Sequence, residues 1–407
     1  MATLDVGLKI LGELETNALS LEILLDHLDR LVPFVGAGLS FDFGYPSWTE
    51  LLEDLADQAG LRDRVDSLLA NYQFEEAAEE LSTSLSNLFD ATLRRIFGDR
   101  KLPRPLSKGA VRHVPRIARG PVLTTNFDRV LEAAFEDAGC RFRQVLPGPR
   151  IREAHQALQL GDPFLLKLHG DYFYSESRVL TLQEYTREYG NPDPEKIDFK
   201  LPLPSVIDQA LGGYPLLFLG CSLKNDRTTR VIAQIAMKPE RVGTVHFALL
   251  PASDSGLDRR KQLDAWHIFP VFFRTGEFER IDQFLRFLAD AVARRPGGRA
   301  DPVVIADVPH AQSRPLPQTL AALLTAVCEP RGSITLTPQQ IAELVQHKPE
   351  NFTEYRLARI AEWSQPRYQL DRRFVSLTLL IDRGEDTQGV RWAGLESRRF
   401  NDHQRPR

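Results

Sequence analysis

Cysteine is scarce in this 407-residue chain: Cys140, Cys221 and Cys328 stand far apart and never form a C-x-x-C pair. An odd, scattered set of three excludes both a disulfide framework and a four-cysteine zinc site within one chain. The expectation is a reducing, cytoplasmic setting. An excess of one charge is also lacking. Lys and Arg number 51 against 55 Asp and Glu, a net of -4, so the overall balance calls for no nucleic-acid surface and none is expected. Long apolar runs are missing as well. The N-terminal stretch MATLDVGLKILGELETNALSLEILLDHLDR carries acids throughout, which argues against a signal peptide, and no later segment reaches membrane-spanning length. Internal repeats and low-complexity tracts are absent.

What is present is a hydrophobic content of 43%, enough for a large core and for about two or three domains. Apolar residues recur at helical spacing over 1–29, which reads as an N-terminal helical extension. The run Leu31 to Val35 then has strand composition and ends in Gly36-Ala37-Gly38, followed by Ser40 and the turn-rich FDFGYPSW. Ser47 is placed to cap a helix over WTELLEDLADQA, with Glu50 completing a capping box and Gly60 ending it. Helical patterns continue to Phe97, and another is expected from about Lys108 to Arg119. Together they make a helical insertion over about 49–119.

From there strands and helices alternate. Strand-like runs at Pro121 to Thr124, Pro163 to Leu168 and Leu216 to Leu219 stop at polar clusters: Thr124-Thr125-Asn126 with Asp128, then His169-Gly170-Asp171, then Gly220-Cys221-Ser222. GTVHFALLP and HIFPVFF are two further strands, and FERIDQFLRFLADAVARR is a closing amphipathic helix. This alternation predicts an α/β fold, a Rossmann-like doubly wound parallel sheet. Residues 30–295 form its body, 296–315 a Pro- and Gly-rich linker, and 316–407 a small, mainly helical C-terminal interaction region with a basic end. In such sheets the loops beyond the carboxyl ends of the strands gather along one edge, so the clusters should meet in one crevice.

The residue types in these clusters suit nucleotide chemistry. Backbone approaching closely at Gly36 and Gly38 can meet a phosphate. Asn126 offers a donor and an acceptor, which can hold a carboxamide or orient a water. His169 changes charge near neutral pH unless perturbed and is the candidate base. Asp128 can bond a ribose hydroxyl, and Ser40, Thr124 and Ser222 can donate to phosphate or ribose oxygens. Each residue alone has a simpler reading. G-x-G turns occur that bind nothing, and the third glycine of the dinucleotide fingerprint is missing. Asn126 and Asp128 could serve only the start of the following helix, and His169 could be a loop residue.

GAGLS, TTNFD, KLHGD and FLGCS, in that order and spacing, resemble the nucleotide-binding and catalytic motifs of the sirtuin superfamily across residues 30 to 290. The resemblance implies that Gly36, Ala37, Gly38 and Ser40 contact the pyrophosphate of NAD. It places Asn126, Asp128 and His169 around the nicotinamide-ribose bond, and Gly220 and Ser222 at the adenosine ribose. Two departures matter. Residues 171 to 215 contain no cysteine where the deacylases usually carry a zinc module, and FDFGYPSW replaces their arginine-bearing loop. The chain is thereby similar to the bacterial sirtuin-like NAD hydrolases of antiphage defence, which implies NAD as substrate and no metal. It further implies a regulated effector, a homo-oligomer, and an ATPase or sensor partner reached through the C-terminal region. The alternatives are a non-catalytic NAD-binding scaffold and, third, an NAD-dependent deacylase.

Overall fold

In the computed structural model the described residues are 2–295, apart from 99–101, 149, 162, 192, 194–196, 225 and 239–243. The expected linker at 296–315 and C-terminal region at 316–407 lie outside the described residues. Among the described residues seven strands make one sheet: β1 (Val32–Val35), β2 (Val122–Thr124), β3 (Val145–Pro147), β4 (Leu165–Lys167), β5 (Leu216–Leu219), β6 (His246–Pro251) and β7 (Ile268–Phe273). They lie in the order β3-β4-β2-β1-β5-β6-β7, and every pairing is parallel. The fold is the Rossmann-like α/β arrangement expected from the alternation of elements.

Alternate residues of the strands feed two separate apolar layers, as a period of two with both faces covered requires. Val35, Val122, Leu165, Leu217, Phe247 and Val271 point to one layer, which also holds the 49–97 helices and helix Glu279–Ala293. Phe34, Leu123, Leu166, Phe218, Ala248 and Phe272 point to the other, shared with Ala154, Tyr185, Val206 and Ile232 from four helices. The N-terminal helices, Ala2–Leu11 and Ala18–Asp26, are part of the first layer through the fully buried Leu11, Leu21 and Leu24. Between them, buried Asn17 donates from Nδ2 to the Phe272 carbonyl at 2.7 Å and accepts from the Phe272 N–H at 2.8 Å. That clamp satisfies backbone groups on the outer edge of β7, which would otherwise be an open template for pairing.

Pro33 stands in the central strand without breaking it. The Val32 and Gly36 N–H groups donate toward β5, to Pro215 and Leu219, so Pro33 faces β2, whose pairing begins only at Phe34. No ladder bond is lost there. The capping box at Ser47 and Glu50 forms as expected, and Gly60 ends that helix in the left-handed region at φ 65°. Two local expectations change. The helix expected from Lys108 to Arg119 is a 3-10 turn, Ala110–His113, followed by the single turn Val114–Ile117 with proline at its start. Strand β3, not foreseen, is three residues long at the sheet's other edge, with one exposed and one half-buried residue, so it lacks the apolar run that marked the rest.

Candidate active site

The order in which strands are added reverses between β1 and β5, since β1 continues to β2 on one side and β5 to β6 on the other. Open α/β sheets form their ligand crevice at such a switch point, beyond the strand ends. Here the turns after β1 and β5 touch. A Cβ on Gly36 would lie 2.6 Å from the Gly220 carbonyl oxygen, and one on Gly38 would lie 2.9 Å from the Gly220 Cα. Gly220 itself has φ 66°, and a Cβ there would meet the Leu39 nitrogen at 2.7 Å. The amides expected to face a phosphate are otherwise engaged: Gly36 donates to Leu219 and Gly38 to Gly220. The glycines first permit two backbones to meet, and the meeting forms the floor of a cavity of about 380 Å³.

That cavity is lined by Gly36, Ala37, Gly38, Ser40, Asn126, Asp128, His169, Gly220 and Ser222 together. Nine of the ten residues singled out from the sequence therefore share one space. Thr124 does not. Its buried hydroxyl donates to the Val35 carbonyl at 2.8 Å and accepts from the Asn126 N–H at 3.0 Å, so it ties β2 to β1 and shapes the loop from behind. Asn126 does not cap the next helix; its Nδ2 donates to Ser40 Oγ at 3.1 Å. Ser40 in turn hydrogen-bonds the Asp128 carboxylate, which also accepts from the Val130 N–H at 2.9 Å at the start of helix Val130–Asp137. Burial pushes the Asp128 carboxyl up, opposed by the Val130 N–H, Lys167 and Ser40.

Beneath this loop lies Lys167, 1% exposed. Its Nζ approaches the Asp128 carbonyl at 2.7 Å, the Phe127 carbonyl at 3.2 Å, Glu132 Oε1 at 3.1 Å and Asp171 Oδ2 at 3.1 Å. Burial opposes its charge, but Glu132, Asp171 and Asp128 outweigh burial and the ammonium is held above its ordinary range. Burial likewise works against the Asp171 carboxylate, yet Lys167, the Phe173 N–H and Arg129 keep it below the usual value. A buried cation thus grips the backbone that presents Asn126 and Asp128. KLHGD stood out for its histidine; a charged residue inside a strand was the available sign of Lys167.

His169 closes the opposite wall and is 6% exposed. Burial pulls its imidazole down to about 3, so it is neutral across the physiological range. Both ring nitrogens sit against hydroxyls: Nε2 lies 2.9 Å from Tyr189 Oη and 3.3 Å from Thr228 Oγ1, and Nδ1 lies 3.5 Å from Tyr185 Oη. Tyr189 and Thr228 are themselves 2.7 Å apart. The tyrosines come from helix Leu182–Tyr189, inside the cysteine-free stretch, and Thr228 from helix Arg227–Ala236. Neither segment carried a recognisable motif, so these partners were missed. Trp48 and Ser47 of FDFGYPSW line the cavity mouth, where the indole stacks on Tyr185 with ring centres 5.7 Å apart.

Among the described residues no cluster of His, Cys, Asp or Glu is arranged to hold a metal ion, and no helix is long and apolar enough to cross a membrane. Residues 121–271 match the family model of the SIR2-like domain. The chain is 24% identical over 228 residues to NAD(+) hydrolase ThsA of Bacillus cereus (strain MSX-D12), covering 53% of this chain and 42% of that protein. It is 26% identical over 295 residues to the protein of the same name from Cytobacillus dafuensis, with 66% and 54% covered. For that from Enterococcus faecium the figures are 26% over 224 residues, 53% and 42%. The chain spans about half the length of these curated relatives. The sheet, the four motifs on one cavity and the match agree with the resemblance drawn from the sequence: residues 121–271 are similar to the SIR2-like domain.

Proposed function

We propose that the chain is an NAD+ hydrolase that cleaves the nicotinamide-ribose bond to give nicotinamide and ADP-ribose. The observation that carries this reading is the single cavity at the β1/β5 switch point that brings the two glycine turns, the Ser40-Asn126-Asp128 network and His169 together. The relatives named NAD(+) hydrolase support it.

The chemistry follows from the wall materials. Helix Trp48–Ala59 begins at the cavity, and its positive end favours the anionic pyrophosphate. Departure of nicotinamide leaves an oxocarbenium-like ribose. The buried Asp128 carboxylate supplies negative charge for it in surroundings of low dielectric. Asn126, held by Ser40, orients the attacking water. That water becomes strongly acidic as its oxygen bonds to carbon, so even a base as weak as His169 can take the proton. Phe41, Trp48, Phe97 and Phe127 on the wall restrict bulk water.

Purified protein incubated with NAD should release nicotinamide, and His169→Ala and Asn126→Ala should each lower the rate by about 10²-fold or more while the thermal melt keeps its cooperativity. No nicotinamide at any protein concentration would instead favour a binding scaffold. Release only with an acylated peptide, as O-acyl-ADP-ribose forms, would favour deacylation. Destruction of NAD as a regulated antiphage effector, controlled by self-association or a partner, is part of the same proposal and extends the resemblance drawn from the sequence.

A further inference from the structure

His169 has no ring nitrogen without a hydroxyl partner, which raises the question of how a water in the cavity could reach it. Of the three hydroxyl residues around the imidazole, Thr228 lines the cavity, whereas Tyr185 and Tyr189 stand behind, each 1% exposed. Thr228 Oγ1 is 2.7 Å from Tyr189 Oη, and Tyr189 Oη is 2.9 Å from His169 Nε2. The three atoms form a continuous chain from the cavity wall to the base. Asp226 anchors its outer end, accepting from the Thr229 N–H at 2.8 Å and from Thr229 Oγ1 at 2.9 Å and so capping the helix that carries Thr228. On the facing side of the wall, Ser40, Asn126 and Asp128 bond to one another.

We propose that Thr228 is a catalytic residue that accepts the proton of the attacking water and passes it through Tyr189 to His169; this rests on the hydrolase reading above. In the resting state Tyr189 donates to Nε2 and Thr228 donates to Tyr189. As the water oxygen bonds to the ribose carbon, the N-glycosidic electron pair leaves with nicotinamide, which becomes neutral. The water proton moves to Thr228 Oγ1, the Thr228 proton to Tyr189 Oη and the Tyr189 proton to His169 Nε2. Both hydroxyls end neutral and the imidazole ends cationic, so atoms and charge balance; the proton then returns to solvent. Burial pushes the Tyr189 phenol well up, which suits a group that passes a proton without ionising. The direct Thr228 to His169 separation of 3.3 Å offers a shorter, poorer route.

The test is nicotinamide release by wild type, T228V, T228S, Y189F, H169A and the T228V/H169A double variant. T228V, isosteric but without the hydroxyl, should lower kcat by about 10²-fold with KM little changed. T228S should restore most of the rate, Y189F should fall between them because the direct route remains, and the double variant should be no slower than H169A. The relay is overturned if T228V keeps the wild-type kcat, if T228S is as slow as T228V, or if the losses multiply in the double variant. Those results leave the hydrolase reading standing when wild type is active. A wild type that releases no nicotinamide overturns both.

Discussion

The two walls of the cavity are built from different materials. The wall made by Gly36 to Ser40 and Gly220 to Ser222 is mostly backbone, shaped by residues too small to obstruct a neighbouring turn. The wall around His169 is made of side chains, Tyr185, Tyr189 and Thr228, drawn from two helices. Beneath the loop between the walls sits a buried lysine that touches two backbone carbonyls and two carboxylates. A backbone wall tolerates almost no added atom, whereas a side-chain wall tolerates isosteric change in shape and fails in its chemistry. Damage to the first should appear as lost stability, and damage to the second as lost rate in a folded protein.

The largest stability effect should come from the lysine between them. Lys167→Met leaves Glu132, Asp171 and two carbonyls without their buried cation, and removing one partner of a buried ion pair costs about 3 to 5 kcal/mol. Urea unfolding should show this loss, and a variant within about 1 kcal/mol of wild type would mean that the loop holds itself. Next is the backbone wall. Gly220→Ala puts a side chain at φ 66° with its Cβ 2.7 Å from the Leu39 nitrogen, where the left-handed conformation alone costs about 1 to 2 kcal/mol. Denaturant melts should record at least that much, and a neutral substitution would show that the turns are able to separate.

The last effect sharpens the contrast through pH. The His169 imidazole is lowered by burial to about 3 in the folded chain from an ordinary 6.5. Above pH 6.5 both folded and unfolded forms hold it neutral, and it contributes nothing. As pH falls from 6.5 toward 3 the unfolded chain takes up a proton that the folded chain refuses, so stability is lost. The slope approaches about 1.4 kcal/mol per pH unit. His169→Gln should therefore gain on wild type as pH drops from 6.5 to 4.5. Equal acid sensitivity in the two proteins would show that His169 ionises in the folded state.

Legibility followed the same division. The glycine turns, Asn126, Asp128, His169, Gly220 and Ser222 could be found because each follows a strand, and a parallel sheet collects strand ends along one edge. Ser47, Glu50 and Gly60 were readable as a helix start and stop because capping is local chemistry. Thr124 belonged to a legible motif, yet its hydroxyl turned to the Val35 carbonyl, since a side chain's direction depends on the register of the neighbouring strand. Lys167, Tyr185, Tyr189 and Thr228 gave no sign of their shared surroundings. Residue 228 is 59 positions from His169, and nothing local to either reports the other.

The amino-acid order by itself determined the α/β alternation, the glycine turns and the set of polar residues at strand ends, because these depend on periodicity and on what a residue can do within a few neighbours. Tertiary structure alone decided which amides remained available, that a lysine lies under the Asn126 loop, and that His169 is neutral among three hydroxyls. Those outcomes depend on burial and on contacts between segments distant in the chain, and burial sets both the cost of a charge and the partner that must offset it.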